Sequence, residues 1–168
     1  AGGAAIGSGA IAAITGADPD STVPTTATAT VEQTGGTGGA GLSAANGGAG
    51  GDSSLGDSAF AIAEGGTATM TQHAIGGTGG TAEATGRGGA GGNATSLLDN
   101  SAIPFPDPSD VIDGTVRAAG GTGGQAEWIG GDGGSAFADI RLSSDVASEV
   151  SATAEAFGGN GTDGGNGG

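Results

Sequence analysis

The feature that most constrains this chain is a pair of glycines returning on a three-residue beat. GGTGGAGLSAANGGAGGD, residues 35–52, divides into GGT-GGA and GGA-GGD; GGT-GGT and GGA-GGN follow within 76–93, and GGT-GGQ and GGD-GGS within 120–135. Glycine loses more backbone freedom on ordering than any other residue, so fixing such runs is costly. Either they are flexible linkers, or they do something no side chain permits. A period of three is that of polyproline II, a helix of three residues per turn rising ~3.1 Å per residue. In it the X residues of Gly-Gly-X form one stripe, and two edges are bare backbone. Such a helix has no internal hydrogen bonds, so packed neighbours must satisfy its N–H and C=O groups. The proline-bearing collagen pattern is absent, and a triple helix is not implied.

The blocks are in register along the chain. GGTGG begins at Gly35, Gly76 and Gly120 and GGNGT at Gly158; second blocks begin at Gly47, Gly88 and Gly130. Before each first block stands an alternating segment: TATATVEQT, TATMTQHAI, GTVRAA and SATAEAF. Alternation with Thr, Val and Ile is the strand signal, placing Ala27, Ala29 and Val31 on one face and Thr26, Thr28 and Thr30 on the other. SAFAIA (58–63) and SAFADI (135–140) read the same way, and SSDVASEV (143–150) is assigned to strand over a helical turn. Self-similarity at this period predicts stacked units that cannot bury themselves alone. The expected fold is all-β/irregular: a repeat architecture of short β-strands packed with Gly-Gly-X polyproline II helices, with little or no α-helix. One repeat domain spans 1–168, with units at about 1–34, 35–75, 76–119 and 120–157 and a glycine-rich tail at 158–168.

Composition narrows the function. Ile, Leu, Val and Phe number 24 of 168 residues, too few for a conventional two-layer core. Eighteen acids face three arginines and no lysine, a formal charge of −15. That balance speaks against nucleic acid and anionic membrane surfaces as partners. No segment has the apolar length of a membrane span, which predicts no membrane insertion. Without cysteine there are no disulfides or thiolate metal sites. Ala1 reads as a mature N-terminus, and Asn93-Ala-Thr95 and Asn160-Gly-Thr162 are N-glycosylation sequons; together they favour an extracellular or cell-surface location.

GGAGGN, GGDGGS and GGNGTDGGNGG resemble the glycine-rich repeat tails of mycobacterial PE-PGRS proteins. The Gly-Gly-X phase is similar to that of polyglycine-helix proteins, namely springtail antifreeze proteins and the tips of some phage tail-fibre adhesins. The resemblance covers only the glycine blocks. It implies packed glycine helices and an extracellular or surface role, and it transfers no functional residues.

The chemistry-bearing residues argue against an enzyme. There is one histidine and no Cys, Tyr or Lys to exchange protons near neutral pH. His73 lies in an alternating segment and reads as a strand residue. GTGGAG (36–41) matches a dinucleotide fingerprint only because glycine is so abundant. No cofactor or small-molecule substrate is expected. Calcium is the one metal with candidates: Asp52 and Asp163 fit the sixth position of G-G-x-G-x-D, and Asp107, Asp110 and Asp113 lie in FPDPSDVID.

The reading that follows is a non-catalytic structural protein: a self-assembling subunit of an extracellular filament, matrix or surface layer, with identical subunits as partners. Its expected assembly residues are the glycines 35, 36, 38, 39, 76, 77, 120 and 121 (Gly35, Gly36, Gly38, Gly39, Gly76, Gly77, Gly120, Gly121) and the N-terminal apolar residues Ile6, Ile11 and Ile14. Residues 1–17 are the expected inter-subunit segment. The alternatives are a monomeric ice-binding (antifreeze) protein presenting Thr-x-Thr rows, or a calcium-binding repeat module or adhesin.

Overall fold

The structure is a computed structural model and describes residues 3, 5–6, 9–14, 25–102 and 108–162. Among them there is no α-helix, and a single 3-10 turn spans Asn100–Ala102. The strands are β1 (Ala5–Ile6), β2 (Ala10–Ile14), β3 (Thr26–Thr34), β4 (Ser53–Gly56), β5 (Ala59–Ala63), β6 (Thr67–Ile75), β7 (Ala94–Asp99), β8 (Val111–Ala119), β9 (Ala136–Arg141) and β10 (Glu149–Phe157). The fold is all-β, as the alternating segments predict.

Every strand ladder is parallel. One sheet has the order β3-β6-β8-β10, a second β1-β4-β7-β9, and β2 pairs with β5. The first sheet is flush: Thr26 pairs with Thr67, Thr67 with Val111 and Val111 with Glu149, and nine residues pair in each ladder. These offsets are the intervals between the glycine blocks, so each strand enters its block level with its neighbours.

The alternation sorts side chains as expected. Ala27, Ala29 and Val31 are buried, Thr26, Thr28 and Thr30 exposed, and β6 and β8 continue the alternation. The core between the sheets is made of small residues: Ala59, Ala61, Ala63, Ala68, Ala74, Ala94 and Ala118 pack with Leu55, Met70, Leu98, Ile112 and Val116. A buried methyl contributes only about 0.8 kcal/mol, so an alanine core alone is a thin source of stability.

Two glutamines add polar ties across that core. Gln72, fully buried in β6, accepts from the Ser58 and Ala59 amides through Oε1, while its Nε2 donates to the Leu97 carbonyl at 2.7 Å. Gln33 in β3 accepts from the Ser54 amide at 3.1 Å and the Ser53 hydroxyl at 3.2 Å. These bonds span the bend between β4 and β5, where Asp57 adopts φ 46°.

Segment 143–150 departs from the strand reading. Only Glu149 and Val150 enter β10; Ser144 Oγ accepts from the Val146 and Ala147 amides, bending the chain before the strand. Sequence reasoning also passed over β4 and β7, which directly follow second glycine blocks.

Gln72→Leu takes the side-chain acceptor from the Ser58 and Ala59 amides, while the Leu97 carbonyl keeps the Asp57 amide, and is expected to cost about 2–4 kcal/mol in urea unfolding. Ser96→Ala removes a buried hydroxyl that has no partner and should change stability by less than about 1 kcal/mol. Equal losses in the two variants would contradict this account of the core.

Candidate functional site

Among the described residues the longer glycine blocks form seven rows: I (35–40), II (47–52), III (76–81), IV (88–93), V (120–125), VI (130–135) and VII (158–162). Odd rows continue β3, β6, β8 and β10; even rows II, IV and VI lead into β4, β7 and β9. Their hydrogen bonds follow one rule. The first glycine of a pair donates to the carbonyl just before a glycine pair, or at an X position, in the next row of its own layer. Thus Gly35 donates to Ile75, Gly38 to Thr78, Gly76 to Ala119, Gly79 to Thr122, Gly120 to Phe157 and Gly123 to Asn160, at 2.8–2.9 Å. The even layer repeats this: Gly47 to Arg87, Gly50 to Ala90, Gly88 to Ile129 and Gly91 to Asp132. The second glycine donates to a second glycine of the opposite layer, as Gly48 to Gly39, Gly80 to Gly48, Gly89 to Gly80 and Gly124 to Gly89. Paired numbers run in opposite directions between layers, so the two layers are antiparallel.

This rule explains the triplet. Every X residue in the rows, among them Thr37, Asp52, Thr78, Asn93, Thr122 and Asp132, is exposed, whereas the glycines face other backbone. Room, not left-handed geometry, requires glycine here: Gly65, outside the rows, is the one described glycine with positive φ, at 63°. A Cβ on Gly38 would lie 1.9 Å from the Gly48 carbonyl oxygen. At Gly39, in the first row, a Cβ would meet nothing within 4 Å, although the equivalent atom on Gly80 would lie 2.0 Å from the Gly39 oxygen.

Side chains reinforce the even layer, including Asp52 and Asn93, which the sequence marked only as a calcium candidate and a sequon. Asn46 accepts from the Arg87 amide at 2.9 Å, Asp52 from Asn93 at 2.7 Å and Asn93 from Ser135 at 2.9 Å. Asp57 accepts from Asp99 at 2.7 Å, and Asn100 exchanges two bonds with Ser143. The signal was present as Asp and Asn recurring at the block interval. Hydrogen bonds from the Ser101 hydroxyl and amide, aided by Arg141, hold the Asp99 carboxyl below its ordinary range.

No protein-family model and no curated protein matches the chain. Among solved structures, the nine polyproline type II helical bundle of a springtail antifreeze protein from Granisotoma rainieri is similar at 19% identity and a TM-score of 0.23, over 84% of this chain and 94% of that one. A likeness at that score carries no argument about fold or role.

The residues singled out from sequence fall into three groups. Gly35, Gly36, Gly38, Gly76, Gly77, Gly120 and Gly121 all donate bonds within this chain, while Gly39 stands exposed at the rim of row I. Ile6 lies in β1 on β4, and Ile11 and Ile14 lie in β2 on β5, so the N-terminal segment pairs with its own chain; Ile11 is 81% exposed. The calcium candidates are not brought together. Asp52 is engaged with Asn93, Asp113 lies in the β8 ladder, Asp110 precedes it, and Asp107 and Asp163 lie outside the described residues. The described residues hold no group of three or more acids or histidines fit for a metal. His73 is a strand residue 3.4 Å from Glu32.

Gly38→Ala must push apart two backbones and is expected to cost more than about 3 kcal/mol or prevent folding. Gly39→Ala should leave monomer stability within about 1 kcal/mol of wild type. Far-ultraviolet circular dichroism with urea titration compares them, and equal tolerance would return the glycine rows to the status of linkers.

Proposed function

We propose that this protein is a non-catalytic structural subunit that self-assembles with identical copies into an extracellular filament, matrix or surface layer. In this reading the rows are polyproline II helices and the chain is one repeat domain. The three-residue hydrogen-bond rule supports the first, and the ladder offsets that match the block intervals support the second. The observation that carries the assembly reading is the open-ended stack. The β3-β6-β8-β10 sheet has nine-residue strands at both edges, and β10 is exposed along its whole length. Long uncovered edges are sites of strand addition unless something blunts them. β10 has no proline or lysine to do so.

A second reading, a monomeric ice-binding protein, is favoured by one observation. Thr30, Thr71, Thr115 and Thr153 are aligned across the sheet, and the Thr78 hydroxyl donates to that of Thr37 at 3.3 Å. Val111, Asp113 and Glu149 interrupt the neighbouring positions on the same face, which weighs against an extended threonine array.

Sedimentation velocity and negative-stain electron microscopy of the purified chain test the first reading. Polymers are expected, and melting should be insensitive to chelator because the acids are dispersed. A uniform monomer showing thermal hysteresis would replace it with the second.

A further inference from the structure

The two ends of the stack are complementary. Each first glycine of an odd row donates forward, to the row that follows it in the layer. Row VII is the last described row of the layer, and the amides of Gly158 and Gly161 donate to no carbonyl among the described residues. Row I begins it with the Thr34, Thr37 and Ala40 carbonyls, which occupy the places of the acceptors Ile75, Thr78 and Thr81 in row III but have no described row before them. One end offers donors and the other acceptors. Two like ends would set donors against donors.

Sterics point the same way. Among the row glycines only Gly39 and Gly158 are exposed, one at each end. In later rows the second glycine is required by the row before it in the same layer: Gly77 by Gly36, Gly80 by Gly39 and Gly124 by Gly80. Gly39 occupies that position with nothing within 4 Å, a glycine that no described residue requires.

The strands add a third mark. Val150, Ala152, Ala154 and Ala156 pair with Ile112, Gly114, Val116 and Ala118, so they share the core-facing side of the sheet. Their partners are buried and they are exposed. Phe137, Trp128 and Val146, near the same end, are also more than half exposed.

We propose that β10 and row VII of one copy dock on β3 and row I of a second copy, in parallel and in register, continuing both the sheet and the glycine layer. This rests on the self-assembly reading above and specifies its contact. Gly158 then donates to Thr34, Gly161 to Thr37, and Glu149 stands opposite Thr26 and Phe157 opposite Thr34. The contact is head-to-tail and does not close on itself, so it generates a filament. It also sets Glu155 beside Glu32, a like-charge pair that weakens the contact.

The chain lacks cysteine, so Thr30→Cys/Thr153→Cys places its two thiols at sites that face each other only between copies. Within one copy, β6 and β8 separate them by about 14 Å, beyond disulfide reach. Mild oxidation is expected to give a covalent ladder on denaturing gels for the double variant and none for either single variant. Ala154→Pro removes an outward amide that the chain itself does not use. It should raise the assembly threshold at least about tenfold while leaving melting near wild type. Gly39→Ala should act in the same direction, and Glu155→Gln should lower the threshold. Polymers that give no ladder and tolerate Ala154→Pro would overturn this contact and leave self-assembly standing. A wild-type chain that stays monomeric at high concentration would overturn the self-assembly reading, and this contact with it.

Discussion

The approach of one peptide backbone to another with no side chain between them is the contact on which this structure depends. Donors and acceptors in the rows are 2.7–3.1 Å apart, and a Cβ at most row glycines would fall about 2 Å from a carbonyl oxygen. A single intramolecular hydrogen bond contributes only about 0.5–1.5 kcal/mol net, whereas a buried group left without one costs about 1–3 kcal/mol. Completeness of the network therefore matters more than the strength of any member. Two glycines in three is what completeness demands, since one faces the next row and the other faces the opposite layer.

The strands inherit their order from the rows. β3, β6, β8 and β10 each run directly into an odd row, and the ladder passes without a break from strand to glycine, as when Gly35 donates to Ile75. Parallel pairing normally needs a long crossover between neighbours. Here the crossover is an even row with its following strand, which then covers the face of the first sheet. Alanine suits the resulting interior because the rows already hold the two layers close together. Leu55, Met70 and Ile112 fill what alanine leaves, Gln33 serves the start of β4, and Gln72 serves the amides where β4 gives way to β5.

What was legible in the sequence had a period. Alternation located β3 and β6 to the residue and gave the faces of Ala27, Ala29 and Val31. The triplet beat drew attention to glycines such as Gly38, although its readable message concerned spacing rather than partners. β4 and β7 were missed because SSLG and ATSLLD are short and follow glycine without a clear alternation; their order comes from rows II and IV beside them. Gln72 was unreadable for a different reason: its partners lie on two other strands, and nothing local marks a glutamine as buried. SSDVASEV, with valines four apart, carries conflicting periods, and the Ser144 side chain decides it by capping a bend. The candidate site was visible as glycine pattern, but which end donates and which accepts appears only when the rows are set side by side.

The acidity of the chain fits this arrangement of surfaces. Apart from Thr162, which stands at a glycine position and bonds to Gly124 and Gly131, the side chains of the rows sit at X positions, and Asp52, Asp132 and their neighbours project outward from the layers. With a formal charge of −15, two such faces repel each other. The sheet's outer face pairs Glu32 with His73 and Arg117 with Glu155, so two of its acids lie beside basic partners there. The ends differ in kind: Gly158, Gly39 and the alanines of β10 present uncharged backbone and methyl groups. Charge therefore disfavours side-by-side association while leaving the ends freer to meet. Open growth along one direction, the proposed mode of assembly, needs that difference between faces and ends, and the Gly-Gly-X triplet supplies it by assigning bare backbone to contacts and its X side chains to solvent.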